Sequence, residues 1–418
     1  MKFEFIANAC GIFHGDDGTR LLCDPWIVNG VFDGSWCHYP PLKTTLDDLQ
    51  DVDGIYVSHI HPDHYDDRYF DFAKDTPLIV LDDGPNFLIK NLTRSGFTNL
   101  VRIKNGETKK WKEFELTLFS PFTKHNYVEA KIGNLIDSAL VVKNGEHIAF
   151  NANDNTPTVE TCKMLRERFG FIQLAMINYN AAGPYPSCFN NLSEEKKIAE
   201  HERILQRNYD HMVNVIKKLK PANVLPFAGA YVLGGRLHNK NRYLATSTWD
   251  KCADYIRPKV TQYSEVVCMR ENDVIDIGTG QLDRPYIPID EQHMQNYIEQ
   301  TLSQIKYPYE QDEMPDNEKL LIDIEEASAL MRDRMARYDI EVESTIYIDF
   351  GSQPVKVFQP KNLQQRSITC TIDARLLRRI LDRKSHWNNA EIGCHIEFFR
   401  EPNIYDPDLH TALQFLHL

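Results

Sequence analysis

The sequence predicts a mixed α/β fold built in layers, and three observations carry that reading. Over residues 1–150, short β-rich runs alternate with turn signals. Beyond them, helix-patterned stretches interleave with strands. From about Pro285 the texture changes to charged helices and a second group of alternating strands. Strands first, then strand–helix alternation, is the order of packed α/β layers and not of a TIM barrel. The expected division is a domain over residues 1–284 and an α+β extension over residues 285–418.

Each element has a local reason. Residues 1–6 have no apolar signal core and read as the first strand. Residues 20–23 form a β-rich run into Asp24-Pro25-Trp26. Residues 54–58 are apolar, too short for a helix and rich in β formers, so they read as a buried strand. Residues 78–81 are similar and end in the turn signal Asp82-Asp83-Gly84-Pro85. Residues 115–119 alternate and stop at Ser120-Pro121. Residues 139–142 and 147–150 flank Lys143-Asn144-Gly145-Glu146, whose central Asn-Gly marks a hairpin.

Helical patterns cover residues 158–169 and, most clearly, 193–220. Ser193 suits an N-cap, and Glu194 and Glu195 suit the positive end of the helix dipole. Ile198, Leu205, Tyr209, Met212, Ile216 and Leu219 follow at helical spacing, and Pro221 stops the helix. Residues 224–227 read as the next strand. In the extension, residues 292–305, 317–338 and 372–381 read as helices and residues 340–358 as strands.

Composition excludes several functions. The 418 residues are 42 % hydrophobic and 26 % charged, the balance of a soluble globular protein. No run approaches the ~18 apolar residues of a membrane helix. A net charge of −13 argues against a nucleic-acid partner, whose footprint would be basic. An anionic small-molecule substrate is still compatible, because a local pocket can be positive on an acidic protein. The nine cysteines are odd in number, scattered, and form no CxxC. They read as small buried hydrophobes in a reducing cytoplasm, not as disulfides or a thiolate cluster. No Walker loop and no GxGxxG occur, so ATP hydrolysis and dinucleotide binding have no motif.

One constellation dominates: Ser58-His59-Ile60-His61-Pro62-Asp63-His64-Tyr65-Asp66, directly after the 54–58 strand. On extended backbone His59 and His61 point to the same side, because side chains alternate with period two. Pro62 bends the chain, so Asp63 and His64 return toward the same point. Three imidazoles and a carboxylate within six residues form a ligand set for zinc, iron or manganese. Two ligand pairs in one loop also suit two adjacent metals.

This HxHxDH pattern, with the earlier Leu22-Cys23-Asp24-Pro25-Trp26, resembles the metallo-β-lactamase fold superfamily. The resemblance implies a four-layer αββα sandwich with two divalent metal ions at one edge. It implies that His59 and His61 go with one metal, and Asp63 and His64 with the other. It also implies ligands further along. Asp154, in Asn151-Ala152-Asn153-Asp154 after a strand, matches the carboxylate that bridges both metals; its alternative is an Asx turn. His125 is the nearest histidine for a further ligand, with a solvated loop as its alternative. Asp137 is read as orienting a ligand from behind. The last family histidine is missing after Pro226-Phe227-Ala228-Gly229, and His238 is the candidate to fill its place, with substrate contact or no role as alternatives.

Several segments are also similar to the catalytic part of CMP-N-acetylneuraminate hydroxylases. They are Phe32-Asp33-Gly34-Ser35-Trp36 with Pro40-Pro41, Asn178 through Pro186, Pro226-Phe227-Ala228-Gly229, the His238 to Tyr243 segment, Trp387 through Gly393, and Arg400 through Tyr405. The similarity runs from about residue 5 to the C-terminus and so includes the extension. Those hydroxylases carry a Rieske [2Fe–2S] centre held by two Cys and two His. No Cys-x-His or Cys-x-x-His occurs here, so no Rieske cluster is expected in this chain.

Two functions follow. The first is a hydrolase acting on a small, anionic substrate, in which metal-activated water attacks and Asp63 is the catalytic group that orients or deprotonates it. The second is a di-iron oxygenase acting on a sugar nucleotide or similar metabolite, with electrons from a separate donor. A third is a metal-binding protein without catalysis. Substrate contacts are expected from Tyr179, Asn180 and Tyr185, in a Gly/Pro loop after the 174–177 strand. Arg236, Lys240 and Arg242 form a basic cluster suited to a phosphate or carboxylate. Trp26 and Trp36 are read as core packing.

Overall fold

The computed structural model describes residues 1–84, 86–123, 137–361 and 365–418. The first sheet uses β1 (Lys2–Ala7), β2 (Cys10–His14), β3 (Arg20–Cys23), β5 (Gly54–Tyr56), β6 (Leu78–Leu81) and β7 (Leu100–Ile103). A short β4 (Trp36–Cys37) lies outside it. The second sheet uses β8 (Thr108–Trp111), β9 (Phe114–Phe119), β10 (Ala139–Asn144), β11 (His147–Asn151), β12 (Leu174–Ile177), β13 (Asn223–Pro226) and β15 (Glu265–Val266). β14 (Val232–Leu233) pairs with β4, and β16 (Asp273–Asp276) returns to the first sheet beside β1. The strand orders are β16-β1-β2-β3-β5-β6-β7 and β15-β13-β12-β11-β10-β9-β8.

Alternation along these strands sorts side chains into layers. Phe3, Phe13, Leu21, Tyr56 and Ile79 of the first sheet meet Leu116, Leu140, Leu174, Met176 and Leu225 of the second in one buried cluster. The opposite face of the second sheet, with Val141, Phe150, Ala175 and Val224, lies under three helices: α2 (Val159–Phe169), α3 (Glu194–Leu219) and α4 (Trp249–Val260). The outer face of the first sheet, with Ile12, Leu22, Ile55 and Val80, lies under α1 (Phe87–Arg94) and short 3₁₀ turns carrying Leu49 and Phe70. The layers are therefore helix, sheet, sheet, helix, the αββα sandwich of the metallo-β-lactamase fold.

Two local details differ from the sequence reading. In the β10–β11 hairpin Asn144 pairs with His147, so the loop is Gly145-Glu146 and not Asn144-Gly145. Gly145, at φ +56°, supplies the positive φ at the first loop position. In α3, capped by the Ser193 side chain onto the Lys196 amide, the buried residues begin at Ile204. Ile198, in the first turns, is exposed although its spacing is apolar.

The remaining chain adds α5 (Glu291–Gln300), α6 (Asn317–Arg337), α7 (Ala374–Leu381), α8 (Trp387–Ile392) and α9 (Pro407–Leu413). It also adds a third sheet in the order β18 (Val355–Phe358), β17 (Thr345–Asp349), β19 (Ser367–Thr371), β20 (Glu397–Glu401). Its core is shared with the sandwich: Ile324, Ile346, Leu377 and Phe398 pack in one cluster with Trp26, Phe32, Trp36 and Tyr231. Trp36 stacks on Tyr231 at 3.3 Å between ring centroids, so both tryptophans are core residues. All nine cysteines are free and buried. Among the described residues no helix is long and apolar enough to cross a membrane.

Candidate metal centre

Parallel pairing brings the site together. β3 and β5 are parallel neighbours, with Cys23 opposite Tyr56, so the residues that follow each strand emerge side by side. The Ser58 amide donates to Asp24 Oδ1 at 2.7 Å, and the His cluster starts there. On the second sheet β11 and β12 are parallel, with Asn151 opposite Met176. Asp154 and Asn178 therefore leave the same edge, and Asn178 Nδ2 donates to Asp154 Oδ1 at 3.0 Å. Tyr56 and Ser138 tie the two edges: the Tyr56 hydroxyl lies 2.9 Å from the Ser138 carbonyl, and Ser138 Oγ donates to the Ser58 carbonyl at 2.7 Å.

Two donor groups result. His59, His61, Asp137 and Asp154 form one, and Asp63, His64 and Asp154 the other; within each, one ligand atom per residue lies within 4.8 Å of the rest. His59 Nε2 is 2.9 Å from His61 Nδ1, 3.5 Å from Asp137 and 3.9 Å from Asp154 Oδ2. His64 Nε2 is 3.4 Å from Asp63 Oδ2 and 3.5 Å from the same Asp154 Oδ2. One oxygen of Asp154 thus faces both groups while Asn178 holds the other.

The imidazoles are oriented from behind. Ser58 Oγ lies 2.9 Å from His59 Nδ1 and 3.2 Å from His64 Nδ1, and it can accept from both. His64 Nδ1 also faces Asp24 Oδ2. These contacts leave both Nε2 atoms on the side of the carboxylates, the usual arrangement behind a metal-bound histidine. His64 Nε2 is buried and has no hydrogen-bond partner. A buried nitrogen left open among carboxylates fits a bound cation.

The electrostatics agree. Burial pushes His59 well below the ordinary histidine range, and the neighbouring imidazoles push it further. Burial also acts to lower His64, but Asp63, Asp24 and Asp154 outweigh it and raise it. Burial acts to raise Asp154, and His64 outweighs it and holds the carboxyl low. The carboxylates around His64 thus favour positive charge at this point, which suits a bound cation.

Several expected residues lie elsewhere. His238 belongs to neither donor group; it sits in a 3₁₀ turn (Gly235–Tyr243) with Nδ1 on the Gly235 carbonyl at 3.0 Å. Asp137, read as an orienting residue, instead offers its carboxylate directly to His59. His125 lies outside the described residues. Tyr179 is in the outer core against α3 and α4, and its hydroxyl has no partner. Asn180 is a structural tie: Nδ2 donates to the Gly229 and Ser247 carbonyls, and Oδ1 accepts the Ser247 amide. Tyr185 donates to Glu200 and packs on Phe189.

The basic cluster is neutralised residue by residue. Arg236 pairs with Glu310, Lys240 with Glu397 at 3.0 Å, and Arg242 with Glu194. Lys240 also touches Cys188 Sγ. These acids come from distant parts of the chain, which is why the run looked unpaired in sequence. Asn8 was not anticipated. It sits in the β1–β2 turn, where Asn is ordinary, yet Nδ2 reaches Asp63 Oδ2 at 3.4 Å.

No family model matches the chain. By sequence it is similar to a Mycobacterium tuberculosis protein named as a Rieske 2Fe-2S iron-sulfur protein, 31% identical over 240 residues, which are 55% of this chain and 44% of that one. It is also similar to mouse cytidine monophosphate-N-acetylneuraminic acid hydroxylase, 24% identical over 66% of this chain and 47% of that protein. The chain spans about half the length of these curated relatives. Similar solved structures include CmlA, a diiron β-hydroxylase from Streptomyces venezuelae, with TM-score 0.46 and 16% identity over 66% of this chain and 53% of that one. An isothiocyanate hydrolase from Delia radicum gut bacteria has TM-score 0.46 and 17% identity over 66% of this chain and 99% of that one.

Proposed function

We propose that this chain is a dinuclear metalloenzyme that hydroxylates a small, anionic metabolite, using dioxygen and electrons from a separate donor protein or domain. One observation carries the reading: Asp154 Oδ2 stands between His59 Nε2, at 3.9 Å, and His64 Nε2, at 3.5 Å. A carboxylate oxygen shared by two histidine groups is the arrangement a bridged metal pair requires. Asp63 and Asp137 add further carboxylates, and a donor set this rich in oxygen suits iron.

A bound iron pair supplies the activation of dioxygen; overall, substrate C–H, O2, two electrons and two protons give the alcohol and water. The chain's own residues build the seat. Asp24 and Ser58 fix the His64 and His59 rings, Asn178 fixes Asp154, and Asn8 fixes Asp63. The names of the sequence relatives, Rieske proteins and hydroxylases, support this reading and the need for a donor. Nine free thiols support a reducing compartment.

A second reading, hydrolysis by metal-activated water, is favoured by Asp63. Its buried carboxylate beside His64 is placed to orient a water or take its proton. Elemental analysis of protein purified without added metal separates the readings. Two irons per chain with oxygen uptake support the hydroxylase. Zinc with turnover of a phosphodiester or lactone overturns it in favour of the hydrolase, and bound metal with neither activity overturns both.

A further inference from the structure

Next to the candidate centre lies a cavity of about 210 Å³, and Asn8 stands between the two. One end of the Asn8 side chain touches Asp63. Its Oδ1 accepts the amides of Gly229, at 2.6 Å, and Ala230, at 3.0 Å. The cavity walls are mostly apolar, with Phe5 and Trp249 packed edge to face. Two polar groups on them lack partners: Arg270 Nη1 and His38 Nε2 are both buried without a hydrogen bond.

Scarcity of acids does not explain the Arg270 vacancy, because the protein has 60 acidic residues against 47 basic ones. The adjacent Glu271 also lines the cavity, as does Lys43, but the Glu271 carboxylate is occupied by the amides of Lys43 and Thr44. Asp273 accepts the Arg270 backbone amide and pairs with Arg284 at 3.3 Å. The acids nearest in sequence are therefore held by other groups as well, Asp273 lies within electrostatic reach of Arg270, and Arg270 Nη1 is still without a hydrogen bond. A buried, unpaired guanidinium nitrogen is costly and is normally matched by an oxyanion. His38 packs against Trp26, 3.9 Å between ring centroids and tilted by 34°, with Nε2 lacking a hydrogen-bond partner. Burial keeps that imidazole neutral, so Nε2 can serve as a hydrogen-bond donor without adding charge.

We infer that this cavity is the subsite for an oxyanion group of the substrate, a carboxylate or a phosphate, held by Arg270 and His38 while the rest of the molecule extends past Asn8 to the centre. The inference rests on the proposed enzyme only in calling the ligand a substrate; the anion site itself stands on the cavity.

The test is calorimetric titration of the full chain, freed of metal by a chelator, in low-salt buffer. Acetate and inorganic phosphate are titrated separately. Saturable binding of at least one is expected, and the one that binds identifies the group. Arg270→Gln should weaken it tenfold or more, and Arg270→Lys should recover part of the loss if Arg270→Gln folds poorly. The His38 ring nitrogen resonances should shift on addition of the anion. Asp154→Asn should leave the anion affinity unchanged. No saturable binding of either anion, or equal binding by Arg270→Gln, overturns the inference. A chain that binds the anion but takes up no metal would keep this subsite and overturn the proposed enzyme.

Discussion

His64 Nδ1 lies 3.1 Å from Asp24 Oδ2, and both side chains are fully sealed from solvent. Burial raises the Asp24 carboxyl, and the His64 contact opposes the rise. The buried carboxylate beside Nδ1, together with Ser58 Oγ, holds the His64 ring with Nε2 toward the donor group. Asp24→Asn keeps the shape and removes the charge. Metal affinity should fall about 10- to 100-fold, the usual cost of losing such a partner. Competition with a chromophoric chelator reads it, and an unchanged affinity would show that Asp24 serves the fold alone.

Asp154 and Asp137 should differ in kind. Asp154 belongs to both donor groups and Asp137 to one. Asp154→Ala should strip both metals, while Asp137→Ala should strip mainly the one beside His59 and His61. Metal content per chain measures this directly. Equal losses in the two variants would count against a bridging Asp154.

The local part of the site was legible and the long-range part was not. His59, His61, Asp63 and His64 lie within six residues, so alternation and one proline were enough to converge them. Asp154 was a candidate because the metallo-β-lactamase resemblance implies a carboxylate ligand after a strand end, and residues 151–154 follow one. The parity after β12 could not be fixed from sequence. Asn178 faces the centre, so Tyr179 must face the outer core, and the side chain expected to touch substrate is on the wrong side of the sheet. Arg236, Lys240 and Arg242 looked free because Glu310, Glu397 and Glu194 reach them only through the fold. The layered architecture was readable because short apolar runs and long capped helices announce themselves locally.

Asn180 illustrates the cost of such a tie. It is buried, and its amide satisfies the Gly229 carbonyl and both backbone groups of Ser247. Asn180→Ala leaves buried backbone groups without partners, each worth roughly 1–3 kcal/mol. A loss of about 3 kcal/mol is expected in urea unfolding. Metal stoichiometry should stay the same at low temperature. A stable variant with altered metal content would return Asn180 to the site.

Stability should fall with acid through two buried histidines that are not in the centre. Burial pushes His38 and His395 down to about 3. His395 is locked in its neutral form: Nε2–H donates to the Phe32 carbonyl at 2.9 Å, and Nδ1 accepts from the Tyr309 hydroxyl at 2.9 Å. In the unfolded chain each histidine titrates near ~6.5. Between the two values the unfolded state binds more protons, so stability rises with pH there and is lost as pH falls below ~6.5 toward the folded value. Moving from pH 7 to pH 5 should cost about 2 kcal/mol per histidine. The centre's own residues also titrate, so a variant isolates the effect. For metal-free protein, His395→Gln should lower stability at pH 7 yet reduce the pH 7 to pH 5 loss by about 2 kcal/mol relative to the parent chain. Parallel pH profiles for parent and variant would show that His395 accepts a proton without unfolding, and that its burial between Tyr309 and Phe32 does not hold it neutral.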